Sequence, residues 1–495
     1  MSALPNPLLL AAVDLGSNSF RLEIGRVEGT QILRQTYWKE PVRLAAGLDE
    51  QNRLTRRAIE AACECLARMN ERLRDMPASQ VRAVGTQTLR SAVNVDEFLR
   101  AGQAALGFPI EVISGREEAR LVFEGCMHTL PPSPARRLVV DIGGGSTEII
   151  VGRGLTAEDA DSFRIGCASM SRRYFRDGVL ERSTLRRAIV AAAAQLEEAV
   201  GRFSRKNWDE AYGTGGTIEA VSAILRAQEW SDGTITAEGL LRLRHALLAA
   251  GETRRLKLAG LKPERLDVIA GGVAVLAAVF DALGIEALQT ARGALRLGLL
   301  YDLLGRREER DVRDASVERL QTRFGVDRAQ AARVAAVART LYAALAPAAQ
   351  AESAKCLAWA AALHEVGFAI SHEDYHKHGA YLLTHAELPG FSTADQQRLA
   401  QLVLGQRGNL KKVAAALEGE DRGAAVFALR LAVIFCHARR DVALPRWELR
   451  RTRHGFELAL AADWLASHPL THHLLEEEVE HWERAGQRLA LRALP

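Results

Sequence analysis

Lysine, long apolar runs and paired cysteines are all scarce in this 495-residue chain. The longest uncharged apolar run, residues 268–280, is too short to cross a bilayer, so no membrane-spanning segment is expected. Residues 1–18 carry no basic stretch ahead of the apolar residues 8–13, so no secretory signal is read. The six cysteines, at 63, 65, 126, 167, 356 and 436, form neither a CxxC pair nor zinc spacing. Reduced thiols and a cytoplasmic location are expected, with peripheral membrane association left open. No GxxxxGK(S/T) motif occurs, which argues against P-loop chemistry. A net charge of +4, from 65 basic and 61 acidic residues, gives no reason to expect a nucleic-acid partner.

The composition that remains, 48% hydrophobic and 25% charged, is that of an ordered globular protein, and the length suits about three or four domains. Only eight of the 65 basic residues are lysine, so the positive charge is almost all guanidinium. Arginine favours bidentate phosphate recognition, although GC-rich coding produces the same excess. Eleven of the 13 histidines follow residue 306, which marks a change in character there.

Before residue 306, β-branched runs alternate with amphipathic helical stretches, the pattern of an α/β protein. Strands are expected at 8–14, 20–27, 81–85, 110–113, 137–141 and 148–153, with helices at 54–73, 95–106 and after Ser114. The three prolines of 130–135 mark a boundary. Beyond it the opening pattern returns: Asp14-Leu-Gly-Ser-Asn-Ser19 aligns with Asp141-Ile-Gly-Gly-Gly-Ser146, each between two strands and 127 residues apart. Such a repeat implies two similar lobes, 1–129 and 130–306. A helical domain at 307–440 and a small α+β tail at 441–495 follow, the tail with strands at 447–451 and 456–461 and a helix at 472–488. The charged or proline-containing segments 306–315 and 441–446 are the expected hinges.

Each repeated turn sets an aspartate at a strand end, glycines in the turn and a hydroxyl after it. Glycines let backbone N–H groups approach a ligand, successive N–H groups form an anion nest, and a nearby aspartate can hold a cation or its water. Two such turns facing each other would clamp phosphates between the lobes.

Five ordered stretches carry a family resemblance: AAVDLGSNSF (11–20), VGTQTLRSA (84–92), ISGREEARL (113–121), LVVDIGGGSTE (138–148) and GTGGT (213–217). Together with 363–383 and 388–392 they resemble the exopolyphosphatase/guanosine pentaphosphate phosphatase (Ppx/GppA) family, in its long bacterial form. The resemblance implies duplicated actin/Hsp70/sugar-kinase-like (ribonuclease H-like) lobes, followed by an HD-like all-α domain and the α+β tail. It implies that Glu118 orients or deprotonates the attacking water. The Ser114-x-x-Glu117 capping box gives Glu117 a structural task and leaves Glu118 free. It also implies that Asp141 and Glu148, with Asp14 as a further partner, hold magnesium near the phosphates, with potassium as a candidate stimulating ion.

Ser17, Asn18, Gly143, Gly144, Gly145, Ser146 and Arg90 would bind phosphate. Thr214, Gly215, Gly216 and Thr217 open a helix whose amides offer either an anion site or a packing turn. Gly271 and Gly272 are expected at the hinge between lobes. Arg292 and Leu297 depart from the family pattern. His364-Glu365 stands where an HD-type domain has His-Asp, so a metal-free version is expected there. His376, Lys377 and His378 are phosphate-chain contacts or helix-start polar groups. The reaction implied is processive hydrolysis of inorganic polyphosphate, with the 5′-phosphate of pppGpp as the alternative substrate and a homodimer as the assembly. Gly145 and the 376–378 segment tilt the choice toward the polymer.

Overall fold

Residues 9–15, LLAAVDL, are apolar up to the aspartate and form β1 (Leu9–Leu15), a buried strand at the centre of a sheet. The computed structural model describes residues 8–307, 311–347, 351–441 and 443–495, and the chain divides into two compact units between residues 311 and 312.

In the first unit, β1 pairs antiparallel with β2 (Phe20–Glu28), and β2 with β3 (Gln31–Glu40). On its other side β1 pairs parallel with β4 (Val81–Gly85), and β4 with β5 (Ile110–Val112), giving the order β3-β2-β1-β4-β5. A second sheet repeats this plan. Its strands are β6 (Arg136–Ile142), β7 (Thr147–Arg153), β8 (Thr156–Phe163), β9 (Glu210–Thr214), β10 (Ile235–Thr236) and β11 (Ala287–Thr290). They run β10-β11-β9-β6-β7-β8, so the five strands from β8 to β11 match the first sheet in order and sense, with β10 added at the edge. The repeat read from one turn therefore extends through both sheets. The sequence reading misses β3 and β8, polar edge strands without apolar alternation, and also the short β9, β10 and β11, of which β9 is central and buried.

Two helices couple the sheets. The helix Gly115–Met127 follows β5 yet packs against β7 and β8, while Leu295–Arg307 follows β11 and packs against β1, β2 and β4. They touch backbone to backbone: a Cβ on Gly298 would lie 1.9 Å from the Leu121 carbonyl oxygen, and one on Gly125 2.2 Å from that of Ala294. Leu121, Phe123, Leu299 and Leu300 bury a core between the two sheets. Gly271 and Gly272, expected at a hinge, lie instead inside the helix Ile269–Leu283, where Gly271 N donates to Ser171 Oγ (3.1 Å).

The second unit is helical from Val312 to Phe435 and ends in a three-stranded sheet, β12 (Trp447–Thr452), β13 (Gly455–Ala461) and β14 (Arg488–Leu494). Helix Val312–Arg323 covers part of the expected hinge 306–315, of which residues 308–310 lie outside the described residues. The sheet shares a core with the helices: Phe427 stacks on Phe456 at 4.1 Å, and Trp482 meets both rings edge-on. The last helix, expected to reach 488, stops at Arg484 because Gly486 turns the chain at φ +78° and Arg488 enters β14. Among the described residues no helix is long and apolar enough to cross a membrane. All six cysteines are free thiols.

Candidate active site

The two strand–turn–strand repeats place their first and last polar residues opposite each other. In the β6–β7 register Asp141 faces Glu148, and in the β1–β2 register Asp14 faces Arg21, its equivalent in the repeat. The second turn closes through Gly143 N, which donates to the Ser146 carbonyl (2.9 Å), and its first carbonyls accept from Cys167 N and Ala168 N. The two turns face each other at contact distance, since a Cβ on Gly145 would stand 2.9 Å from Ser17 Oγ. Ser17 Oγ is itself fixed by Thr88 Oγ1 (2.8 Å). Gly215 opens the helix Gly215–Ala227 at φ +84°, with its Cβ position 2.1 Å from Asp141 Oδ1, so only glycine fits between that helix and the aspartate.

These elements enclose a cavity of about 90 Å³ whose wall includes Asp14, Ser17, Asn18, Glu118, Asp141, the 143–146 turn, Glu148, Gly215 and Gly216. Glu118 sits in the first turn of the helix capped by Ser114, whose Oγ accepts from Glu117 N (3.1 Å). The Glu117 carboxylate is forked by Arg120 Nε and Nη2 (2.8 and 2.9 Å). Glu118 Oε2 accepts from Arg90 Nη1 (2.7 Å), and the same nitrogen donates to the Ile113 carbonyl. Burial raises the pKa of Glu118 against the pull of Arg90. Burial, then repulsion from Glu118, pushes Asp141 up to about 7, with Arg21 opposing. Glu148 is raised well above the usual range by burial and by Glu118 and Asp141, although Ser162 donates to its Oε1 (2.7 Å).

Crowded carboxylates of this kind are relieved by a cation, and an all-oxygen donor set fits a hard one such as magnesium. Among the described residues no three His, Cys, Asp or Glu side chains form a ready-made metal cluster. The fit is therefore to an ion held by one or two carboxylates, with water and substrate phosphate completing its shell.

Three expected site residues of the first unit lie off this wall. Arg90 stands behind Glu118, Thr214 Oγ1 donates to the Gly293 carbonyl (2.9 Å), and Thr217 is buried beside the Cys167 thiol. In the second unit, His376 is buried at the start of helix Tyr375–His385, where burial and Lys412 push its ring down to about 4. Lys377 Nζ donates to Asp374 Oδ2 (2.7 Å), a helix-start role. Glu365 is forked by Arg439 (2.7 and 3.0 Å), and His364 Nδ1 lies 2.7 Å from the Ala361 carbonyl oxygen.

The sequence reading misses three arginines on the wall: Arg21, Arg265 and Arg296. The repeat could have pointed to the first, because position 21 is position 148 less the repeat offset of 127. Arg265 has no such signal; its guanidinium lies against the backbone of Gly216. It also lines a second cavity of about 470 Å³, which has Ser17, Asn18 and Ser19 in common with the first. The second cavity is lined by Lys39, Arg43, Arg172 and Arg176, by the acidic Glu264 and Asp267, and by Pro41, Phe175 and Val268.

Residues 26–307 match the Ppx/GppA phosphatase family, and residues 312–479 match domain III of the Ppx/GppA phosphatases. A guanosine-5′-triphosphate,3′-diphosphate pyrophosphatase from Aeromonas hydrophila is 38% identical over 97% of this chain and 98% of its own. A protein of the same name from Vibrio cholerae is 37% identical over 99% of each chain. The crystal structure of an exopolyphosphatase from Cytophaga hutchinsonii superposes with a TM-score of 0.54 over 60% of this chain and 97% of its own, at 23% identity, which shows a shared fold.

Proposed function

Because the chain belongs to the Ppx/GppA phosphatase family, we propose that it hydrolyses the terminal 5′-phosphoanhydride of pppGpp and releases orthophosphate. The observation that carries this reading is the pair of neighbouring cavities, which share Ser17, Asn18, Ser19 and Arg265. The small one, lined by turn residues and carboxylates, suits a terminal phosphate, and the larger one, part cationic and part apolar, suits a phosphorylated nucleoside. The names of the full-length relatives point the same way. They weigh against the preference for polymer drawn from Gly145 and residues 376–378.

In this mechanism the glycine turns and arginines hold the triphosphate, and Glu118 aligns the water. Arg90 keeps Glu118 Oε2 engaged, which leaves Oε1 to take the water proton. The water oxygen bonds to the γ-phosphorus, the bond from that phosphorus to the bridging oxygen breaks, and pppGpp loses one phosphate. Magnesium at Asp141 and Glu148 would supply charge neutralisation at the phosphate oxygens. The metal-free HD-like reading of the helical part of the second unit is supported by Arg439, whose fixed guanidinium occupies the Glu365 carboxylate.

Inorganic polyphosphate remains a second substrate for the same site, favoured by the cationic lining of the larger cavity. The test is phosphate release from pppGpp and from long-chain polyphosphate with magnesium, with and without potassium. Faster turnover of pppGpp is expected. No release from pppGpp would reject the reading.

A further inference from the structure

Arg296, the second residue of the helix Leu295–Arg307, lies on the wall of the small cavity, and its own contacts say how it would act there. Its Nε donates to Glu23 Oε2 (3.1 Å), and its guanidinium lies 5.2 Å from the centre of the Tyr37 ring. Glu23, 3% exposed on β2, is forked from the other side by Arg34 Nε and Nη2 (2.9 and 3.3 Å). The carboxylate and the ring thus fix the plane of the Arg296 fork.

The other end of the fork is unsatisfied. Arg296 Nη1 is 3.6 Å from Asp14 Oδ2, beyond hydrogen-bond distance, shielded from solvent and without a hydrogen-bond partner. Arg21 brackets the same carboxylate from its own side at 3.7 Å. Arg21, Arg34 and Arg296 thus share the two carboxylates of Glu23 and Asp14, while Glu118, Asp141 and Glu148 stand elsewhere on the wall of the cavity that Arg296 lines. Buried donors are nearly always paired, so an aligned guanidinium nitrogen left over at a cavity wall needs an anion to complete it.

We propose that Arg296 Nη1 binds an oxygen of the substrate's terminal or penultimate phosphate, and that Glu23 is the residue positioning it. The proposal rests on the phosphohydrolase reading of this site. Its chemistry is neutralisation of the charge that gathers on the phosphate oxygens as the bond to the leaving group breaks.

The test uses the full chain with magnesium. Arg296→Lys keeps the charge but loses the fork, and a fall of about 10-fold or more in kcat/KM for pppGpp is expected. Arg296→Ala should lose about 10²-fold and regain part of it when guanidinium ion is added. Glu23→Gln should lower kcat more than it raises KM, and should cost nothing further in an Arg296→Ala background; a purely structural Glu23 would add its own loss there. Binding is read separately by calorimetric titration with inorganic tripolyphosphate, which should weaken in Arg296→Lys. If the wild-type chain releases no phosphate from pppGpp, the functional reading fails and this titration still judges Arg296. Wild-type-like kcat/KM in Arg296→Lys, equal tripolyphosphate affinity in the two proteins, or no binding by either would overturn the proposal.

Discussion

Glu118 is set between a guanidinium that holds one oxygen and a buried surround in which Asp14 also opposes its ionisation. A general base in that position contributes roughly 10²–10⁴-fold to a proton transfer. Glu118→Gln, which preserves the Arg90 contact but cannot accept a proton, should lower kcat by about 10²-fold while tripolyphosphate binding stays within about threefold. Steady-state kinetics and a binding titration check this, and near-normal turnover would remove Glu118 from the mechanism. In the sequence it was the family resemblance of residues 113–121 that pointed to this position, and the helix start at Ser114 and Glu117 that separated it from its neighbour. Arg265 was not readable, since it reaches Gly216 from a loop 49 positions away with no periodic pattern around it.

At the scale of elements, the first unit depends on how closely two helices approach. Gly298 brings the helix Leu295–Arg307 against the Leu121 carbonyl, leaving no room for a methyl group. Gly298→Ala should force the helices apart and destabilise the protein by about 1–3 kcal/mol, seen as a lower apparent Tm. An unchanged melting curve would contradict the contact. Buried strands such as β1, β4 and β6 announce themselves by apolar runs. The edge strands β3 and β8 do not, because solvent on their outer faces permits charged residues at nearly every position. The tail strands and the core they share with the helical part show a different limit: strand periods were legible, but which core they join was not.

For the molecule as a whole, the decisive long-range contact is ionic. Asp302, on the helix Leu295–Arg307, accepts from Arg82 Nη1 (2.6 Å) on β4, from Arg120 Nη2 (2.6 Å) beside Glu118, and from Arg306 Nε (2.7 Å). Burial alone would raise its pKa, but Arg82, Arg306 and Arg120 outweigh burial and hold it well below the carboxylate range. A depressed carboxylate contributes stability above its unfolded value near 3.8 and loses it as pH falls through the folded one. Apparent Tm should therefore drop as pH is lowered below about 4. Asp302→Asn, which removes one of the carboxylates around the buried Arg82 and leaves it Glu111, should lower Tm at pH 7 by roughly 5 °C and flatten that acid limb. An acid limb as steep as that of the wild type would argue against Asp302 as its source. Nothing in the sequence joins positions 82, 120 and 302, since ion pairs between distant segments leave no local pattern.

The duplicated turns carry one last consequence. Equivalent positions hold Glu148 in the second repeat and Arg21 in the first, so one turn carries two carboxylates and the other an ion pair. A cleft with two identical walls would accept a phosphate chain in either direction. On the phosphohydrolase reading proposed above, this one would treat the nucleoside end and the phosphate end of pppGpp differently, through a single charge reversal between two copies of the same turn.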